Sequence, residues 1–189
     1  MNILFVTICW PDEGRSNLYT DLIHEFRDNG HEMYVVSNNQ RRTGKSSSYK
    51  IEKGVNVLRV KTGNISKTNY IEKGLSLLLL NFQFKRKIKE YWSDKNFDLI
   101  LFNTPPITMS GLLSDLKYNY SSKIYLLLKD IWPYGFVDLE AIQENGIIWK
   151  YFRRHEKKIY GISDYIGCMS PKNVDFVLKK NPQLRCWQS

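Results

Sequence analysis

The amino-terminal segment constrains the fold of this chain more than any other part of it. Asn2 to Ile8 is a short apolar run rich in β-branched residues, which predicts a central strand covered on both faces. A loop with proline and glycine follows, then Ser16 as the predicted N-cap of a helix that Asn29-Gly30 ends. Glu32 to Ser37 predicts the next strand. This strand–loop–helix–strand order opens a doubly wound sheet, in which ligands bind beyond the carboxyl end of the first strand.

The rest of the chain extends that unit. Apolar runs predict further strands over 55–60, 97–102, 123–129 and 163–170, and apolar periodicity predicts helices over 70–92, 107–116, 147–161 and 171–181. The polar, serine-containing segment 41–53 is predicted to be an exposed, mobile loop. The alternation of strands and helices predicts one α/β domain over residues 1–189, with a Rossmann-like, doubly wound, mostly parallel sheet.

Composition narrows the class of protein. The chain has 189 residues, of which 42% are hydrophobic and 14% aromatic, and this excludes a wholly disordered chain. Three cysteines without CxxC spacing and three scattered histidines predict neither a disulfide framework nor a metal site. Because neither a signal peptide nor an apolar run of about 20 residues is evident, the sequence predicts a cytoplasmic protein.

The formal net charge of +9 suggests an anionic partner. A nucleic acid, an acidic membrane surface and a phosphorylated ligand all fit such an excess. A generally lysine-rich proteome would also account for it. A nucleic-acid-binding domain ranks low, because the sequence holds neither an RNP-like aromatic motif nor a recognition-helix signature.

The helix predicted over 70–92 carries two apolar stripes. One comprises Ile71, Leu75, Leu78, Leu79 and Phe82, and the other comprises Leu77, Leu80, Phe84, Ile88 and Tyr91. The basic cluster of Lys85, Arg86, Lys87 and Lys89 overlaps its carboxyl-terminal half. A wide apolar band beside a basic cluster fits an interfacial helix on a membrane, and it equally fits a long core helix with a solvated basic end.

Three loops should meet at the carboxyl edge of the predicted sheet: 9–16, 103–106 and 130–135. In the first of them, Gly14 permits a close backbone approach, Arg15 can bind a phosphate, and Ser16 opens a helix whose free N–H groups attract anions. Asp130 at the end of a strand can act as a base or orient a sugar hydroxyl, or it can be a simple turn residue. Neither GxGxxG nor GxxxxGK[ST] occurs, which argues against a dinucleotide site and a P-loop.

Several stretches resemble a known family. Four stretches are similar to the amino-terminal, acceptor-side domain of GT-B glycosyltransferases of the family-4 type. They are residues 1–6 with the following Pro–Gly loop, the Gly-His transition in 29–37, Phe97-Asp98-Leu99-Ile100, and Leu128 to Pro133. The stretch 128–133 resembles members that build surface polysaccharides.

The resemblance implies specific roles. Asp130 would be the catalytic residue that orients or deprotonates an acceptor hydroxyl, and the basic cluster would dock the chain on an anionic membrane beside a lipid-linked glycan acceptor. The implied substrate- and phosphate-binding residues are Gly14, Arg15, Ser16, Asn103, Thr104 and Lys129. No cofactor is expected on this chain, since the nucleotide sugar would bind a second domain that the 189 residues lack.

Two consequences of that resemblance can be told apart by experiment. The chain would be inactive alone as the acceptor-binding half of a glycosyltransferase, located at the inner face of the plasma membrane. Alternatively, it would be a non-catalytic subunit that brings a separate donor-binding partner to the membrane.

Overall fold

A seven-stranded sheet organises the structure, a computed structural model that describes residues 1–187. The strands are β1 (Asn2–Val6), β2 (Glu32–Gln40), β3 (Ser48–Glu52), β4 (Val55–Thr62), β5 (Leu99–Asn103), β6 (Lys123–Leu128) and β7 (Tyr165–Cys168). Their order is β3-β4-β2-β1-β5-β6-β7, and every neighbouring pair is parallel except β3 with β4. The predicted doubly wound α/β fold with a mostly parallel sheet is confirmed.

The direction of winding reverses at β1. The chain moves outward from β1 through β2 to β4, then returns and moves the other way through β5, β6 and β7. In such sheets the crevice for ligands lies outside the carboxyl ends of the strands at this reversal, which here are the ends of β1 and β5.

The helices are α1 (Leu18–Asp28), α2 (Tyr70–Tyr91), α3 (Ser110–Tyr120), α4 (Tyr134–Asp138), α5 (Ile147–Ile162) and α6 (Pro171–Lys180). Leu4, Val36 and Phe102 lie in the core on the sheet face that packs against α2, α3 and α5. Ile3 and Val35 lie in the core on the opposite face, which α1 covers. The alternation of side chains along each strand sends successive residues to these two cores.

The polar segment 41–53 contains a strand that its composition did not predict. Ser48–Glu52 pairs with β4 as the antiparallel edge strand β3, although a mobile loop was expected there. An edge strand with mostly exposed side chains buries little apolar surface, so its sequence lacks the apolar alternation by which half-buried strands are recognised.

Helix α1 begins one residue later than predicted. Asn17, not Ser16, is its N-cap: the Asn17 Oδ1 accepts hydrogen bonds from the backbone N–H groups of Tyr19 and Thr20, both at 3.0 Å. The Thr20 hydroxyl accepts one in return from the Asn17 N–H at 2.8 Å. This reciprocal arrangement satisfies two amides of the first turn, so they are not free to bind an anion.

Of the two apolar stripes on α2, the structure buries most of the second, whose end at Tyr91 is 38% exposed, and none of the first. Leu80, Phe84 and Ile88 are at most 1% exposed and pack in the core. The stripe formed by Ile71, Leu75, Leu78, Leu79 and Phe82 is 55–78% exposed. The helix is therefore both a core element and the carrier of an uncovered apolar surface.

Two residues in the basic part of α5 are not fully exposed to solvent. Arg153 is buried, because its guanidinium pairs with buried Glu156 and donates a 2.6 Å hydrogen bond to the Lys180 carbonyl at the end of α6. His155 is half-buried, with its Nδ1 3.1 Å from the Ser110 hydroxyl.

Candidate functional site

The floor of the crevice consists of polar residues at the ends of β1 and β5. Thr7, Asn103 and Thr104 are at most 1% exposed, and the Thr104 N–H donates to the Leu127 carbonyl on β6 at 3.2 Å. Among the described residues, neither the Asn103 Oδ1 nor the Thr104 hydroxyl has a hydrogen-bond partner. Buried polar atoms without protein partners are the kind that water or a ligand satisfies.

Above this floor, the Asn103 amide lies close to the Cys9 thiol and the Tyr19 hydroxyl. Partial burial raises the pKa of the Cys9 thiol, while the nearby Asn103 amide and the Lys129 charge oppose that rise. Burial likewise raises the pKa of Tyr19. No sequence pattern points to Tyr19, because its place on the first turn of α1 becomes meaningful only once β5 lies beside β1.

Lys129 and Asp130 follow β6 at the same edge, and both are exposed. Their charges act on the pKa of Cys9, so they lie near the end of β1. They do not pair with each other, and neither forms an ion pair with any residue in the described 1–187 range. Asp130 is thus available as an unpaired carboxylate at the mouth of the crevice.

Gly14, Arg15 and Ser16 occupy an exposed loop. The loop is held toward the β3–β4 side of the sheet: Asp12 pairs with Lys45 at 3.2 Å, and Glu13 pairs with Lys50 at 3.7 Å. These contacts involve the acidic half of the loop and leave Arg15 without an ion pair among the described residues.

A cavity of about 700 Å³ opens beside these polar groups. Its lining comes from the ends of four strands and from α2, α4 and α5, and it includes Ile8, Ile65, Leu77, Pro105, Trp132 and Phe152. Lys73, at the start of α2, is the single charged residue among the lining residues. Such a volume and apolar lining are typical of a ligand pocket.

The cavity and the polar floor are continuous along the chain. Ile8 lines the cavity and precedes Cys9, while Pro105 lines it and follows Thr104. Trp132 lines it two residues after Asp130, with its ring 3.9 Å from that of Phe136 and 5.3 Å from that of Phe152. The sequence pattern places Ile8 in a strand, Pro105 and Trp132 in loops and Phe152 in a helix, and it does not predict the cavity, since no single segment contains enough of the wall to be recognised.

The basic cluster on α2 is partly neutralised. Lys85 pairs with Asp115 on α3 at 2.7 Å. Lys87 pairs with Glu90 at 2.8 Å and lies over the Tyr91 ring, away from the exposed apolar stripe. Arg86 and Lys89 are exposed and have no ion pair within the described part of the chain.

No helix in the described part of the chain is long and apolar enough to cross a membrane. In the same residues, no group of three histidine, cysteine, aspartate or glutamate side chains converges as a metal site would require.

Comparison of sequences gave no relatives. No model of a known protein family matches the chain, and no curated protein sequence matches it.

Comparison of structures was decisive for the fold. The chain is similar to sucrose-phosphate synthase from Thermosynechococcus elongatus (TM-score 0.62, 13% identity, covering 95% of this chain and 45% of that one). It is also similar to an α,α-trehalose-phosphate synthase (UDP-forming) from Burkholderia vietnamiensis (0.56, 10%, 96% and 43%) and to Arabidopsis thaliana UGT89C1 complexed with UDP-L-rhamnose (0.57, 13%, 98% and 49%). The chain has a Rossmann-like α/β fold that matches one half of these GT-B structures.

The extent of that likeness is also informative. The chain spans slightly less than half the length of each of these glycosyltransferases. The predicted GT-B resemblance is therefore confirmed at the level of the fold, over 95% of the chain in the comparison with sucrose-phosphate synthase.

Proposed function

We propose that this domain is the acceptor-binding half of a nucleotide-sugar-dependent glycosyltransferase of the family-4 type. Its acceptor would be a lipid-linked glycan destined for a surface polysaccharide. The glycosyltransferase-like fold supports the reaction class, and the residues 128–133 support the kind of acceptor through their resemblance.

The observation that carries this proposal is an apolar cavity whose wall at Trp132 lies two residues along the chain from the unpaired carboxylate of Asp130. A lipid chain requires an apolar channel, and the sugar attached to it must emerge beside a base. The 700 Å³ cavity supplies the first, and Asp130, two residues from the cavity wall at Trp132, supplies the second.

Asp130 would orient or deprotonate the acceptor hydroxyl that attacks the sugar. A positioned carboxylate that takes up a proton in the transition state contributes roughly a factor of 10² to 10⁴ in rate. Lys129 would bind negative charge at the same edge of the sheet, and Lys73 would contact the lipid diphosphate at the cavity wall. Asn103 and Thr104 would complete the floor with their unpartnered oxygens.

The donor would approach from the other side of the crevice. We propose that the exposed loop with Gly14, Arg15 and Ser16 faces the donor diphosphate and stabilises the charge that develops on the leaving group. The nucleotide sugar itself would be held by a second Rossmann-like domain or subunit, in keeping with the share of the neighbours' length that this chain spans. The isolated chain would then lack turnover.

Lipid binding tests the cavity. Titration of the chain with farnesyl diphosphate, followed by calorimetry, should give saturable binding. Gly74 lines the cavity, and open space surrounds the position where its Cβ would lie. Gly74→Trp should fill that space and weaken binding roughly tenfold, the effect of losing about 1.4 kcal/mol. Gly74→Ala is the matched control and should bind as well as the unaltered chain.

Equal affinity of the Trp and unaltered proteins would contradict the proposed lipid site. Turnover by the isolated chain, supplied with a nucleotide sugar and a lipid-linked acceptor, would contradict the division of the enzyme into two halves.

The role of Asp130 calls for a different measurement. Asp130→Asn should leave farnesyl diphosphate binding unchanged, because the exposed carboxylate lies outside the apolar wall. In a preparation that contains the donor-binding half, the same variant should lose roughly 10²-fold or more in the rate of transfer. An undiminished rate would remove Asp130 from the mechanism.

A further inference from the structure

Helix α2 separates its exposed residues by type along its length. Ile71, Leu75, Leu78, Leu79 and Phe82 form one exposed row over its first turns, and Lys85, Arg86 and Lys89 continue the same row to its end. At 100° per residue all eight fall within one face of the helix, because they recur at intervals of three and four. The face is thus apolar at its start and basic at its end.

Helix α5 repeats this gradient independently. Its exposed apolar residues are all in the first two turns: Ile147 is 88% exposed, Ile148 58% and Tyr151 42%. Arg154 and Lys158 continue the row of Ile147 and Tyr151 at intervals of three and four. Both basic residues are exposed and have no ion pair among the described residues.

The order from apolar to basic residues runs in the same direction on both helices relative to the sheet. Helix α2 connects β4 to β5, and α5 lies between β6 and β7, all of them parallel strands on the same sheet. A helix that connects parallel strands runs antiparallel to them, so both helices start at the carboxyl edge of the sheet. Both also line the cavity there, α2 through Gly74 and Leu77 and α5 through Ile148 and Phe152.

We propose that α2 and α5 together form a membrane-docking surface that holds the domain obliquely on an anionic bilayer. The apolar starts of both helices enter the acyl region on the two sides of the cavity mouth, and their basic ends lie against the lipid headgroups. This inference rests on the proposed function in one respect: it supplies the route by which a lipid-linked acceptor passes from the bilayer into the cavity.

Charge decides in favour of a membrane over a second copy of this chain. Beside the two apolar rows, Arg86, Lys89, Arg154, Lys157 and Lys158 are exposed and have no ion pair among the described residues. An anionic membrane surface attracts and neutralises these charges. Another copy would bring further positive charge to the same place, since the net charge is +9.

Flotation with lipid vesicles tests the proposal. The chain should float with vesicles of equal parts phosphatidylcholine and phosphatidylglycerol, and its binding to pure phosphatidylcholine should be weaker by roughly tenfold or more. Leu78→Asp on α2 and Ile147→Asp on α5 should each weaken binding to the anionic vesicles by roughly tenfold, because each places a charge in the apolar contact. The double charge reversal Arg86→Glu with Lys89→Glu should do the same.

Matched controls exist on the opposite face of the sheet. Leu18 on α1 is 68% exposed, so Leu18→Asp makes an equivalent change away from the proposed surface. Lys61 is exposed on β4, on the same side as the core residue Val57, so Lys61→Glu matches the charge reversal. Both variants should bind vesicles like the unaltered chain.

Three outcomes would overturn the proposal. They are vesicle binding that none of the α2 and α5 variants reduces, equal affinity for neutral and anionic vesicles, and a dimer in sedimentation that Leu78→Asp dissociates. Failure here with intact farnesyl diphosphate binding would refute the docking surface alone. Vesicle binding without farnesyl diphosphate binding would refute the proposed function instead.

Discussion

Glu156 is a carboxylate in an unusual environment for its type, because it is buried in the protein. Its side chain is 2% exposed, it pairs with Arg153 on the same helix, and its Oε1 has no hydrogen-bond partner among the described residues. Burial raises the pKa of the Glu156 carboxyl from 4.5 to about 7, against the opposing effect of Arg153. A buried pair of this kind stabilises a fold weakly and is strongly destabilising to break.

The stability of the chain should therefore depend on pH through Glu156. Between pH 4.5 and about 7 the folded carboxyl keeps a proton that the unfolded carboxyl has lost, so the free energy of unfolding should fall as the pH rises through that window. Glu156→Gln has no such titration. Urea unfolding at a series of pH values should give a stability difference, unaltered chain minus variant, that declines across the window and is flat on either side. A constant or rising difference would contradict the burial argument.

At the level of elements, the start of α1 gives the sharpest test of local structure. The Asn17 side chain satisfies two backbone amides of the first turn, whereas Ser16 precedes the helix. Asn17→Ala should lower the free energy of unfolding by about 1 kcal/mol, the usual effect of removing an N-cap. Ser16→Ala is the neighbouring control and should have little effect. Chemical denaturation measures both, and a larger loss from Ser16→Ala would restore Ser16 as the cap.

The elements that sequence predicted well are those with a strong apolar pattern. Strands β1 and β5 fall close to their predicted bounds because they are buried on both faces and give unbroken apolar runs, and α2 does so because its buried residues recur at helical spacing. Strand β3 was missed because both of its faces are largely exposed. Which of the two α2 stripes is buried could not be predicted, since the answer depends on the rotation of α2 against β4 and α3.

At the scale of the whole molecule, protection should follow the position of each strand in the sheet. Strand β1 lies between β2 and β5 and has four consecutive buried residues, whereas β3 lies at an edge and is mostly exposed. Native-state hydrogen exchange should be slowest in β1 and β5 and fastest among the strands in β3, because edge segments open locally at lower cost. Protection of β3 equal to that of β1 would contradict this order.

The candidate site shows where prediction from sequence ends. Asp130 could be predicted as a candidate because a polar residue directly after a buried strand is visible in the sequence. The cavity could not be predicted, because its wall comes from seven separate segments. These segments come together only in the folded sheet, which brings Ile8, Ile65 and Trp132 close to one another. The neighbouring contact of Asn103 with Tyr19 and Cys9 was missed for the same reason.

The strands and the cavity wall contribute differently to the stability of the fold, and this difference has a consequence for evolution. The buried strands hold the fold, while part of the cavity wall, including Ser66, Gly74 and Ile142, lies on loops and the first turns of helices outside the buried core. Mutations at Ser66, Gly74 or Ile142 can therefore reshape the cavity at small thermodynamic cost. In a scaffold of this kind, single substitutions can change the shape of the cavity while the sheet stays intact.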